Sequence, residues 1–93
     1  MNSSVGQSSE EHLSAARVRI EFMRKTRDQG NITEIEPAII RELMCYLIPL
    51  TDFNQTADAL ENLCVGAILA HDNGEYLKYS TYLKDIIRIG NDL

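Results

Sequence analysis

The sequence predicts an all-α fold, a small antiparallel bundle of three to four helices, on three observations. Apolar residues recur at spacings of three and four along separate stretches, and capping and turn residues stand between those stretches. No stretch alternates apolar and polar residues for long enough to form a strand. The 93 residues leave room for one core, and a chain this short buries only about 60–65% of the surface its unfolded form exposes. Sharing an apolar face with a second copy would add to that thin margin, so a homodimer is expected.

Residues 1–8 read as a disordered tail and 9–93 as a single helical domain. The first helix is expected to open at Ser8, because Ser8 and Glu11 have the spacing of a capping box in which each side chain satisfies the other residue's free amide. Leu13, Ala16, Ile20 and Met23 form its apolar stripe, widened by Val18 and Phe22. Asp28-Gln29-Gly30 stops it, with Gly30 free to adopt the left-handed conformation. A second helix runs from about Glu36 to Ile48, capped by Thr33 or Glu36, with Pro37 in the first turn where an amide is spare. Apolar residues cover more than half of its surface, which marks it as the central helix and as the subunit contact. The candidate dimer or partner face is Ile39, Ile40, Leu43, Met44, Tyr46 and Leu47. Pro49 ends the helix.

The third helix is expected from Asp52, which with Gln55 suggests another capping box, to His71. Its stripe is Phe53, Ala57, Leu60, Cys64 and Ala67. Gly66 costs about 1 kcal/mol relative to Ala inside a helix, so close approach of another helix is expected there. Asp72-Asn73-Gly74 is a turn. The fourth helix, Glu75 to about Ile89, carries Tyr79, Tyr82, Leu83, Ile86 and Ile87.

No stretch approaches the ~18 unbroken apolar residues of a membrane span. The polar, small N-terminus predicts no secretory signal, hence a cytoplasmic protein in which Asn2-Ser3-Ser4, Asn31-Ile32-Thr33 and Asn54-Gln55-Thr56 are chance sequon matches. Cys45 and Cys64 lie amid apolar residues and read as buried free thiols.

A net charge of −5 argues against a molecule that coats nucleic acid with its whole surface. The distribution is more informative. Arg17, Arg19, Arg24, Lys25 and Arg27 place five of the nine basic residues within eleven positions, whereas Asp28 to Glu75 holds one base, Arg41, against nine acids. A basic first helix thus joins an acidic body. The cluster is either a solvated face tied by ion pairs between helices, or a docking surface for an acidic partner or for DNA phosphate.

Little in the sequence points to catalysis, a cofactor or a small-molecule substrate. His12 and His71 are not in metal-protease spacing, and there is no paired-cysteine motif or glycine-rich phosphate loop. Cys64 and His71 share a helical face, but a zinc site would need Cys45 and a carboxylate that no spacing supports. Ser3, Ser4, Ser8 and Ser9 lie in the tail, the wrong place for a held nucleophile. Glu34 and Glu36 flank a helix start, where the dipole favours carboxylates. His71 ends a helix beside Asp72. It is a candidate pH-sensitive residue whose charge would tune the turn between the third and fourth helices, with an ordinary surface histidine as the alternative. Tyr76, Tyr79 and Tyr82 repeat every three residues without basic interleaving beyond Lys78 and Lys84, which favours packing over base stacking.

The segment from Arg27 to Ile40, and within it Gly30-Asn31, Ile32, Glu34, Glu36 and Ala38-Ile39-Ile40, is similar to a stretch of the YmgB/AriR family of small biofilm regulators, also called two-component-system connector proteins. Gly74-Glu75, Lys78, Tyr82 and Ile86-Ile87 resemble the closing turn and helix of the same family. The Arg-rich first helix and Pro49-Leu50 depart from its pattern. The resemblance implies a cytoplasmic, non-catalytic, all-α dimer that modulates biofilm formation and acid or stress responses through a phosphorelay. An Hha-like association with DNA is also implied.

Three functions follow as expectations: a regulatory adaptor that binds a signalling protein, a DNA-associated regulator using the basic helix, and an export or assembly chaperone. Phe22, Met23, Met44, Tyr46 and Tyr79 are candidate anchors for a partner, each also suited to the core.

Overall fold

The computed structural model describes the backbone of residues 4–30 and 32–93, with side chains from residue 9 onward in those ranges. Four helices make up most of it: α1 (Ser4–Asp28), α2 (Pro37–Leu47), α3 (Gln55–Asp72) and α4 (Tyr76–Gly90). One-turn 3-10 segments lie at Ile32–Glu34 and Ile48–Leu50. No strand occurs among the described residues. Each helix packs on the next and α4 returns to α1, which closes the predicted all-α bundle. None of these helices is long and apolar enough to cross a membrane.

The core follows the spacing that predicted the helices. Ala16, Ile20 and Met23 enter it from α1, Ile40, Leu43 and Leu47 from α2, and Ala57, Leu60, Cys64, Ala67 and Ala70 from α3. From α4 come Tyr79, Leu83, Ile86 and Ile87, while Ile35 and Leu50 plug it from the connections. No charged or polar residue is buried among the described residues. Each large aliphatic side chain so enclosed contributes roughly 1.5–3 kcal/mol.

The boundaries depart from expectation at three places. α1 begins at Ser4, so part of the expected tail is helical and Ser8 lies inside the helix instead of capping it. Nothing between Ser4 and Ser8 forbids helix, since only Gly6 has low propensity there. Residues 1–3 and Asn31 lie outside the described residues, and with them the remainder of the disordered-tail expectation, whose residues 4–8 are helical. α3 begins at Gln55, and its cap is Asn54, whose side-chain oxygen accepts from the Ala57 amide at 3.0 Å. Asp52 is taken into the turn that follows Pro49, because the chain continues past α2 as a 3-10 segment before it reverses. α4 runs through Gly90. A Cβ at Gly90 would stand 2.7 Å from the Ile20 side chain, so α1 and α4 meet where the glycine permits it.

Two turns behave as read. Gly30 and Gly74 both have positive φ, +80° and +73°. At Gly74 the Glu75 amide donates to the Ala70 carbonyl at 2.8 Å and the Gly74 amide to the His71 carbonyl at 3.0 Å, a Schellman closure of α3. The close approach expected at Gly66 is also present. A Cβ there would lie 2.6 Å from the Tyr82 ring, so α4 sits against α3 through that gap.

Candidate functional site

The basic residues of α1 are largely engaged within the molecule. Arg17 donates from Nε and Nη2 to the main-chain oxygen of Leu93, at 3.0 and 2.5 Å. Arg19 pairs with Glu42 of α2 at 3.2 Å and lies 4.6 Å from the centroid of the Tyr46 ring, a cation–π stack. Arg24 pairs with Glu21 and donates to the Asn91 side chain. Arg27 pairs with Asp28 at 3.0 Å. Lys25 is exposed and has no ion pair among the described residues. Four of the five cations therefore tie α1 to itself, to α2 or to the end of α4. Such exposed pairs contribute at most about 1 kcal/mol each, so an anion could displace them. A phosphate arriving at this face would still meet only one side chain without a partner.

The α2 face divides into two. Ile40, Leu43 and Leu47 are wholly buried in the core of their own chain and present no surface to a second molecule. Ile39, Met44 and Tyr46 are partly buried at its edge. Outside them, Ile48 is 53% exposed at the end of the helix. Among the expected anchors, Met23 and Tyr79 are core, while Phe22 is 51% exposed. The Tyr79 hydroxyl donates to the Ile35 carbonyl at 2.6 Å. Burial, then the charge of Glu36, pushes its phenol up to about 12 against the opposing pull of Arg41.

His71 packs edge-on against two rings, Tyr76 at 5.4 Å and Tyr79 at 5.0 Å between centroids. It has no ion pair with Asp72 among the described residues. The two cysteines are free, and they differ: Cys64 is buried as expected, whereas Cys45 is exposed. Cys45 faces outward because it lies two residues from both Leu43 and Leu47, on the side of α2 away from its core stripe of Ile40, Leu43 and Leu47. Burial, then the neighbouring Glu61 carboxylate, pushes the Cys64 thiol up to about 12, so it stays protonated at neutral pH. No three His, Cys, Asp or Glu side chains converge on a metal-binding point among the described residues.

What the arrangement does provide is apolar surface outside a finished core. On α1, Val18 (61% exposed) and Phe22 stand one turn apart beside Ile39 of α2, flanked by Arg19 and Glu42. Between α2 and α3 lies a slot of about 340 Å³, lined by Met44, Cys45, Ile48, Val65, Ile68 and Leu69 with Arg41 at its rim. At the start of α4, Tyr76 and Leu77 are also exposed. The slot was missed by reading each helix for one stripe. Val65 and Leu69 lie one turn apart, off the core stripe of α3, and that second apolar row was its signal. No family model, curated protein or solved structure matches this chain.

Proposed function

We propose that the chain is a small, non-catalytic regulatory adaptor that works as a dimer and docks a signalling protein. The observation that supports this reading is a complete core with large apolar side chains left outside it in separate patches. Apolar side chains grouped into patches outside a finished core are the kind of surface that another molecule covers. The Val18–Phe22 strip, with Ile39 at its edge, has the spacing that receives an amphipathic helix. Arg19, Glu42 and Lys25 around it supply the polar rim that steers a charged partner. The likeness of residues 27–40 to the connector proteins narrows the proposal to a cytoplasmic connector in a phosphorelay, modulating biofilm formation and the acid or stress response.

The second reading is association with DNA through Arg17, Arg19, Arg24, Lys25 and Arg27, favoured by their clustering on one helix. Affinity purification of the tagged chain, with binding to a duplex DNA measured across a salt series, separates the two. Recovery of a histidine kinase or response regulator is the expected result. DNA binding that falls steeply with added salt, with only DNA-associated proteins recovered, turns the assignment to the second reading. A recovered partner that is unstable alone turns it to an assembly chaperone.

A further inference from the structure

The slot between α2 and α3 is apolar along its length, with Val65, Ile68 and Leu69 on one wall and Met44, Cys45 and Ile48 on the other. The charges beyond its two ends are mostly of one sign. On α3, Asp72 follows Leu69 by three positions and Ile68 by four, which sets it past one end of the slot on the same face. Arg41 lies at that end, since its charge acts on Tyr79, which packs on His71 in the last turn of α3. Glu36 also acts on Tyr79 and so stands near. Past the other end, Glu61 precedes Val65 by four positions and Asp58 precedes it by seven. None of these four carboxylates has an ion pair among the described residues. By contrast, Glu21, Glu42, Glu75 and Asp85 each lie against an Arg or Lys. Arg41 alone is set against four unpaired carboxylates, so both ends of the slot attract cations.

That pattern disfavours two occupants. A second copy presenting the same face would bring like charge to like charge at each end, and an anionic amphiphile would meet repulsion from the same carboxylates. The complementary occupant is a helix with an apolar stripe and basic residues toward its ends. Asp58 and Asp72 are both exposed, fourteen residues apart on α3. That separation is about 21 Å, or about four turns of a helix lying alongside. We propose that the α2–α3 slot is the docking groove for a cationic amphipathic helix of another protein, its apolar stripe on Met44, Ile48, Val65 and Leu69 and its basic ends by Asp58 and Asp72. The slot shares no lining residue with the Val18–Phe22 strip of α1. Docking here and capture of a signalling protein at that strip therefore stand or fall separately.

Cys45 makes the slot its own reporter, because it lines the slot as an exposed thiol while Cys64 is buried. The probe is a synthetic peptide of about 18 residues, long enough to be helical when bound, with a Leu stripe and Lys at both ends. Its control carries Glu in place of every Lys. At ten times its Kd the Lys peptide should slow the reaction of Cys45 with a neutral pyridyl disulfide roughly tenfold. The Glu peptide should leave that rate unchanged. By fluorescence anisotropy at low salt, Asp58→Lys with Asp72→Lys should weaken Lys-peptide binding by roughly tenfold. Leu69→Gln should weaken it too, with unchanged far-UV circular dichroism, since Leu69 is 57% exposed and outside the core. Leu77→Gln, at a position 86% exposed on α4, should have no effect. Arg41→Gln should tighten binding, a gain that damage to the fold would not produce. Equal binding of the two peptides overturns the proposal, as does no binding of the Lys peptide at millimolar concentration. So does binding that leaves Cys45 reactive or ignores Leu69→Gln. Protection of Cys45 that is present without peptide and lost on dilution would assign the slot to a second copy and overturn it as well.

Discussion

Replacing Tyr79 by Phe removes one hydroxyl and nothing else. That hydroxyl is the donor that joins α4 to the segment before α2, through the Ile35 carbonyl at 2.6 Å. Tyr79 is 3% exposed, so no water replaces the lost donor and the carbonyl is left unsatisfied. The expected cost near neutral pH is about 1–2 kcal/mol. The pH dependence gives a second, independent check. An unfolded tyrosine ionises near 10, whereas the folded phenol holds its proton to about 12. The folded value is raised, so the stability from the neutral buried phenol is complete below pH 10 and is lost as pH rises toward 12. The limiting slope is about 1.4 kcal/mol per pH unit. Phenylalanine has no such titration, so the gap between the two proteins should narrow above pH 10. Cys64 titrates over an overlapping range, from 9.0 to about 12, but equally in both proteins. Urea unfolding followed by circular dichroism, at about pH 7 and about pH 10.5, measures the gap. A gap near zero at neutral pH, or one that widens in alkali, would falsify the reasoning.

Three further outcomes follow from the packing. Gly66→Ala should cost at least about 1 kcal/mol more in the native background than alongside Tyr82→Ala, because the added methyl meets the Tyr82 ring at 2.6 Å; additive effects in the double-mutant cycle would contradict the close approach. Asn54→Ala should destabilise by about 1 kcal/mol through loss of the α3 cap, while Asp52→Ala should have almost no effect; equal effects in thermal melts would return the cap to Asp52. A disulfide reagent applied to the dilute native chain should modify Cys45 and leave Cys64 unreacted until the chain unfolds. Prompt reaction of both thiols would mean that the core opens around α3.

The helices were legible because their core stripes are strong: Ala16, Ile20 and Met23, with Leu13 packed against them, or Ala57, Leu60, Cys64 and Ala67, recur at helical spacing and build one core. The turns at Gly30 and Gly74 were legible because only glycine adopts their φ at little cost. Starts were less so. A capping pattern records which side chain could satisfy an amide, and the competition between Asp52 and Asn54 was decided by how far the 3-10 segment carries the chain. The same limit applies to surfaces. Ile40, Leu43 and Leu47 are as apolar as any contact face, and only tertiary packing shows them enclosed while Val65 and Leu69 are left outside. Clustered arginines likewise read alike whether they await phosphate or already hold Glu42, Asn91 and the Leu93 carbonyl.

The adaptor reading is tested most directly by comparing quantitative affinity capture of the tagged chain with that of a Val18→Asp, Phe22→Asp variant. Both side chains lie outside the core, so the variant should keep its helical content and melting behaviour. The account predicts that a histidine kinase or response regulator is enriched with the native chain and lost with the variant. Identical capture by the two chains, or enrichment of DNA-associated proteins alone, would contradict it.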